Sequence, residues 1–181
     1  MTVHQLLTAP NGAVTLEMVE DFVSLGIPEN LTVEYKREGD KPAEAAASLA
    51  NTYGGIVLVG VSEGDRGIPQ DIVGVSRKEK EKLVNRMGTT YDPPWSPEVI
   101  EVPLRDRDKV VLVLRIDPDQ VPAPIVMDGA IWVRLDGRYV KANRQMMAAL
   151  LAQARSGQTT PYRLSVASRS PNLAVSLGVS R

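Results

Sequence analysis

Three glutamates lie where the sequence could build a carboxylate site. Glu29 and Glu34 are five positions apart around the start of a predicted strand, and Glu63 lies in the loop that follows the apolar run 56–59. If these two strands are neighbours in one sheet, the acids converge. Converging carboxylates can bind Mg²⁺ or Mn²⁺, which would activate a water for phosphodiester hydrolysis. The alternative is that these acids are simply solvated near loops.

Basic residues form a second candidate site, suited to phosphate contact. Four of them occur within eleven residues, namely Arg134, Arg138, Lys141 and Arg144, and Trp132 and Tyr139 are interleaved with them. Guanidinium groups bind phosphate oxygens and aromatic faces stack on unpaired bases, so this segment is typical of a nucleic-acid surface. Lys36, which shares a strand face with Glu34, joins the predicted set. Trp132 has an alternative place in the core, because it shares strand parity with Arg134.

Composition narrows the chemistry that is available. The chain has no cysteine and one histidine, His4, which excludes disulfides, thiolate catalysis and cysteine zinc sites and disfavours histidine catalysis. The turn Thr52-Tyr53-Gly54-Gly55 offers backbone N–H groups but follows a helix end and is not followed by the lysine of a phosphate-binding loop. We therefore expect a corner between a helix and a strand there.

Charge is distributed unevenly along the chain. The net charge is −1, but residues 129–181 carry eight basic residues and one acidic residue. A local positive field of this kind favours an anionic partner. The alternative is a solvated tail with scattered arginines.

The elements that would position these side chains are organised around residues 45–61, AAASLANTYGGIVLVGV. Pro42 suits the first turn of a helix, the glycines can close it, and the apolar run predicts a central strand covered on both faces. Before it, residues 31–36 alternate apolar and polar side chains as a half-exposed strand does. The Asp136-Gly137 pair predicts a hairpin.

The remaining pattern predicts an α+β fold, a single compact domain with a mixed β-sheet flanked by helices. Helices are expected from Thr15 to Gly26, from a Ser76 and Glu79 capping box to Gly88, and from an Asn143 cap to about Arg155; strands are expected at 98–103 and 109–116. Residues 1–13 are expected as a flexible lead-in, 14–156 as the domain, and 157–181 as a basic flexible tail or arm. The sequence has no apolar run of 18 residues and no signal-peptide pattern, so a cytoplasmic protein without membrane contact is expected.

Several of these segments together resemble a known family. Glu29 with Glu34-Tyr35-Lys36 is similar to the E-S-x-x-x-E-F-K opening of the Schlafen AlbA-type domain, and residues 50–61 resemble its A-N-T-x-G-G-x-L-x-I-G-V signature. Gly74 and the segment 131–137 with Ala142 are similar to its I-V-G and Y-x-R-x-G-S elements. The likeness spans roughly residues 29 to 152.

The resemblance implies a compact α+β domain of a nucleic-acid-binding type. In vertebrate Schlafen proteins two such lobes cleave structured RNA with three metal-binding carboxylates. By motif position two of these fall on Glu29 and Glu34, and the third falls near Glu63, whereas the family usually has an aspartate there. The serine after the first glutamate is Asn30 here, and the phenylalanine is Tyr35. The family is also described as ATP-binding, although this chain has no recognised phosphate loop.

Two hypotheses of different classes follow. The first is a regulatory nucleic-acid-binding module for DNA or RNA; the second is a metal-dependent endoribonuclease with Glu29, Glu34 and Glu63 as ligands. An ATP-binding or protein-interaction domain without catalysis is a further alternative. Because one lobe gives only one wall of a groove, we expect a homodimer formed through the helix 143–155 or a sheet edge.

Overall fold

The structure is a computed structural model of the chain, and it describes residues 3–38, 41–106 and 108–156. The helices are α1 Val3–Thr8, α2 Leu16–Ser24, α3 Pro42–Ala50, α4 Lys78–Thr90 and α5 Arg144–Ser156. The strands are β1 Val33–Lys36, β2 Gly55–Val59, β3 Val61–Glu63, β4 Pro69–Ile72, β5 Val75–Ser76, β6 Tyr91–Asp92, β7 Glu98–Pro103, β8 Lys109–Ile116, β9 Val126–Met127, β10 Ala130–Leu135 and β11 Arg138–Lys141. The expected α+β class is confirmed.

The main sheet is mixed, as predicted. β1 pairs with β2 in parallel, and β8 pairs antiparallel with β2, β5 and β7. Every residue of β2 is buried. Val57 and Val59 face one hydrophobic cluster with α3 and α4, whereas Ile56 and Leu58 face a second cluster with α1 and α2. Cover on both faces explains the uninterrupted apolar run of this central strand.

The Gly54-Gly55 turn requires both glycines. Their φ angles are +68° and +132°, which side chains rarely adopt. A Cβ on Gly55 would lie 2.1 Å from the carbonyl oxygen of Thr32. The turn therefore lets α3 pass directly into β2, with all nine residues of the small-side-chain helix buried.

A second sheet carries the basic hairpin. Its strands follow the order β11-β10-β9-β6, and all of its pairings are antiparallel. Asp136 and Gly137 form the tight turn between β10 and β11 with positive φ angles of 47° and 74°, which confirms the predicted hairpin. One face of the hairpin packs on α3, and Ile131 and Val133 on the other pack with Leu150 of α5. The Asn143 side chain accepts a bond from Met146 N at 3.0 Å, as expected of its cap.

Some local expectations are wrong. β1 is not half-exposed, because Glu34 is only 1% exposed beneath β10. Ser76 is not the N-cap of α4, because Arg77 occupies that position; Ser76 Oγ instead accepts from Lys78 N at 3.3 Å, and the helix continues through Gly88 to Thr90. The lead-in contains α1, whose Leu6 is fully buried in the second hydrophobic cluster. The expected tail 157–181 lies outside the described residues.

Candidate functional site

The three predicted acids do come together, and they meet around a lysine. Glu34 and Lys36 lie on the same face of β1, because they are two residues apart in a strand. Lys36 Nζ forms an ion pair with Glu34 Oε1 and lies 3.5 Å from Glu29 Oε1 and 4.0 Å from Glu63 Oε1. We call Glu29, Glu34, Glu63 and Lys36 the acid cluster. The parallel pairing of β1 with β2 is what brings its parts together.

Backbone contacts fix Glu29 in the acid cluster. Its N–H donates to the Gly67 carbonyl at 2.8 Å, and its Oε1 accepts from Tyr35 N at 3.0 Å. Gly67, in the loop of the β3–β4 hairpin that carries Glu63, has a φ of +70°, and a Cβ there would lie 3.0 Å from Glu29 Cβ. The hairpin can approach Glu29 this closely only because glycine has no side chain.

Arg134 is the main correction to the sequence prediction. Its side chain is fully buried and forms an ion pair with Glu34 Oε2. Its Nε donates to the Asn30 carbonyl at 2.7 Å and its Nη2 to the Val33 carbonyl at 3.0 Å. Arg134 therefore joins β10 to the start of β1, and burial removes it from any phosphate-contacting surface.

Burial and ion pairing set the protonation of the acid cluster. Burial raises the pKa of Glu34, and the neighbouring cations Arg134 and Lys36 offset this only in part. Burial also raises the pKa of Glu29, against the hydrogen bond from Tyr35 and the charge of Lys36. For Lys36, burial lowers the pKa, but Glu34, Glu29 and Glu63 together outweigh it and raise the pKa above its ordinary value. Lys36 is thus an ammonium ion at neutral pH.

The arrangement does not fit a bound divalent metal as it stands. The Lys36 ammonium lies among the three carboxylates, and both oxygens of Glu34 already face cations. Within residues 3–38, 41–106 and 108–156, no group of three or more acidic or histidine side chains is placed to hold one ion. A metal could contact Glu34 only after Lys36 had withdrawn.

The other predicted cations lie on the hairpin and at the start of α5. Arg138, Lys141 and Arg144 are exposed, and we call these three residues the basic edge. Arg138 and Lys141 point to opposite faces of β11, because they are three positions apart. The Lys141 ammonium lies 5.4 Å from the centre of the Trp132 ring. Lys36 is instead 13% exposed and held by acids, so it is poorly placed for phosphate contact.

The predicted aromatic residues connect the two sites. Trp132 and Tyr139 meet edge to face with ring centres 5.8 Å apart, and both pack against the first hydrophobic cluster while staying partly exposed. The Tyr139 ring centre lies 5.8 Å from Lys36 Nζ. Burial raises the pKa of the Tyr139 hydroxyl. The alternative prediction, that Trp132 belongs to the hydrophobic core, is therefore confirmed in part.

Asn51 has a positioning role that sequence reasoning missed. Its amide nitrogen donates to the carbonyls of Ile125 and Trp132 at 2.8 and 2.9 Å, and its oxygen accepts from Ile125 N at 2.6 Å. The side chain ties the end of α3 to the second sheet. A polar residue between buried alanines and a glycine turn is the signal that could have indicated it, because buried amides need partners.

No helix in the part of the chain that the structure describes combines the length and apolar character needed to cross a membrane.

Comparisons with known proteins identify the fold and the family. The chain is similar to the structure of the DIP2311 protein from Corynebacterium diphtheriae, with 17% identity and a TM-score of 0.50; the match covers 83% of this chain and 32% of that one. It is also similar to the N-terminal domain of a RecG-related protein from Nitrosomonas europaea, with 18% identity, a TM-score of 0.45 and coverage of 68% and 88%. This chain thus spans about a third of the DIP2311 structure. A search of curated proteins gave no match.

A family model gives the more specific result. The model described as "Schlafen, AlbA_2" matches residues 29–143, from the first glutamate of the acid cluster to the cap of α5. That range includes both hairpins, the Gly-Gly turn and every residue of the acid cluster and Arg134. The match agrees with the resemblance seen in the sequence motifs. The chain belongs to the Schlafen AlbA_2 family.

Proposed function

We propose that this domain is a nucleic-acid-binding module of regulatory type, with the basic edge as its phosphate contact. The observation that carries the proposal is the exposure of Arg138, Lys141 and Arg144 along β11 and at the start of α5, where Lys141 lies beside the partly exposed Trp132 ring and this ring meets Tyr139. Exposed cations are free to replace the counterions of a nucleic-acid backbone, and the rings offer stacking faces to unpaired bases. Family membership supports the same class of partner.

The acid cluster favours binding over catalysis in its present arrangement. A hydrolytic site needs a carboxylate free to hold a metal or to activate water. Glu34 is instead buried between Arg134 and Lys36, and Lys36 also faces Glu29 and Glu63. The cluster therefore acts as an internal ion-pair network that fixes β1 against β10 and the β3–β4 hairpin.

The experiment measures binding of fluorescent single-stranded DNA, duplex DNA and an RNA hairpin by anisotropy at several salt concentrations. A triple variant, Arg138→Gln, Lys141→Gln and Arg144→Gln, should weaken binding and reduce the salt slope by about one for each phosphate that is no longer neutralised. The matched control, Lys78→Gln, Lys82→Gln and Arg105→Gln, removes the same charge from exposed positions elsewhere. Equal weakening of nucleic-acid binding in both variants would show that only net charge matters, and it would reject the basic edge as the phosphate contact.

One observation favours a second function, a metal-dependent endoribonuclease. Glu29, Glu34 and Glu63 each have a carboxylate oxygen within 4.0 Å of Lys36 Nζ, so displacement of Lys36 followed by a closer approach of these side chains would form a metal site. Cleavage of a structured RNA such as tRNA, measured with Mn²⁺ and with EDTA, tests this. Mn²⁺-dependent cleavage that is abolished in Glu63→Gln would establish the catalytic function. If neither binding nor cleavage occurs even at low salt, the protein-interaction alternative is the one that stands.

A further inference from the structure

A cavity of about 640 Å³ opens at the end of the main sheet where β1 and β2 begin. Lys36 lies at the other end of β1, so the cavity is separate from the acid cluster. Its walls include Leu7 of α1, Tyr53 of the Gly-Gly turn, Trp95, and Arg115 near the end of β8. The volume falls within the range of small-molecule sites, which is about 300–1,000 Å³.

Arg115 is an under-used guanidinium in the wall of this cavity. Its side chain is 8% exposed, and its Nη1 makes only two long contacts, at 3.2 Å to Asn11 Oδ1 and 3.3 Å to Glu98 Oε2. Its Nε and Nη2 are buried and have no hydrogen-bond partner among the described residues. Those two nitrogens form the edge that binds both oxygens of an oxyanion at once. A buried donor without an acceptor is costly, so the site is incomplete by itself.

The other walls suit a flat apolar group. Trp95 is held by stacking on Tyr91, with ring centres 6.4 Å apart and planes 13° from parallel. Tyr53, Pro97 and Pro118 add aromatic and apolar surface. Apolar walls with one or two polar groups are typical of sites that bury a ring and orient it by its charged end.

Two acids in the lining restrict the charge of the ligand. Glu98 bonds with Asn11 and contacts Arg115, while Asp117 accepts from Asp119 N at 3.0 Å and from Gln120 Nε2 at 2.9 Å. Their negative charges remain next to the cavity and repel a second negative charge on a ligand. A singly charged carboxylate meets less repulsion than a doubly charged phosphate.

We propose that this cavity binds a small aromatic carboxylate. The ring lies between the Trp95 and Tyr53 walls, and the carboxylate oxygens accept from Nε and Nη2 of Arg115. The Arg115 side chain turns toward the cavity on binding, which breaks only its two long contacts. The proposal does not depend on nucleic-acid binding, because it uses a different end of the sheet.

The probe is 1-naphthoate, titrated against the full chain and followed by ligand-observed NMR and by tryptophan fluorescence. Its neutral amide and 1-naphthyl phosphate are the comparison compounds. We expect the carboxylate to bind about tenfold more tightly than the amide, as a charge-assisted pair allows. Arg115→Met should remove that preference, and the control Arg105→Met, at an exposed position, should keep it.

Circular dichroism and thermal unfolding establish that each variant is folded. Should Arg115→Met not fold, Tyr53→Ala provides a second test, because it alters the ring wall and should weaken the carboxylate and the amide alike. Absence of saturable binding up to about 10 mM, or equal binding by folded Arg115→Met, would overturn the proposal. Tighter binding of the phosphate than of the carboxylate would overturn it as well.

Discussion

Lys36 at the end of β1 and Arg134 within β10 both carry positive charge, and neither charge is available to an external ligand. Lys36 faces three carboxylates, and Arg134 pairs with Glu34 while it also donates to two backbone carbonyls. At this scale the chemistry of a residue depends on its neighbours rather than on its type. The exposed Arg138, only four positions after Arg134, keeps its charge available.

Arg134→Met should destabilise the domain strongly. The substitution leaves Glu34 as a buried charge with only Lys36 beside it, and loss of one partner of a buried pair costs about 3–5 kcal/mol in the free energy of unfolding. Urea denaturation followed by circular dichroism measures this. The control Arg138→Met, at an exposed position, should change the free energy by no more than about 0.5 kcal/mol.

The double variant Arg134→Met with Glu34→Gln separates charge from packing. Because the second change removes the unpaired carboxylate, the double variant should be more stable than Arg134→Met alone. If the two variants were equally unstable, the ion pair would not be the cause and the backbone bonds of Arg134 would account for the loss.

At the scale of elements, the passage from α3 into β2 controls the architecture. The helix is made mainly of alanine, so it packs closely on both β2 and β10, and Asn51 at its end joins the second sheet. The Gly54-Gly55 turn connects α3 directly to β2. It places β2 beside β1 and so sets the distance between Glu34 and Glu63.

Two glycine substitutions should have opposite effects. Gly55→Ala puts a Cβ 2.1 Å from the Thr32 carbonyl oxygen at a φ of +132°, so we expect loss of folding or destabilisation by more than about 3 kcal/mol. Gly88→Ala lies within α4 with no atom within 4 Å of the new Cβ, so it should stabilise by about 0.5–1 kcal/mol. Thermal and urea unfolding of both variants measure the difference. Similar midpoints for the two would contradict the proposed role of the turn.

At the scale of the whole molecule, one lobe presents its basic edge on a single hairpin and helix start. A groove with two walls needs a second lobe, and a homodimer would supply it. The helix α5 carries the exposed Leu151 beside the buried Leu150, which makes it a candidate contact.

We expect a dimer by light scattering at micromolar concentration. If α5 forms the contact, Leu151→Glu should yield a monomer, because it places a charge in an apolar interface. Leu25→Glu, an exposed position on the C-terminal side of α2, is the matched control and should remain dimeric. A monomeric wild-type protein would reject the homodimer.

Local signals in the sequence were enough to predict several elements, whereas the meeting of the acids was expected only if β1 and β2 are neighbours in one sheet. Apolar run length, the Gly-Gly pair and the Asp-Gly pair act over a few residues, and they correctly predicted β2, its entry turn and the β10–β11 hairpin. Strand periodicity placed Glu34 and Lys36 on one face, and the pairing of β1 with β2 then brought Glu63 near them. The motifs that resemble the family lie on these same elements.

Which charges are free depends instead on the packing of distant segments. Strand parity assigns Arg134 to a face of β10, but the cover on that face comes from β1 and α3, which are about a hundred and about ninety residues away in the chain. The same holds for α1, which lines the cavity beside Arg115 from more than a hundred residues away in the chain. The burial of a charged side chain arises from such long-range contacts, so no local pattern predicts it. Burial places Arg134, which was predicted to bind phosphate, in an internal ion pair with Glu34. It also leaves Nε and Nη2 of Arg115 without an acceptor among the described residues.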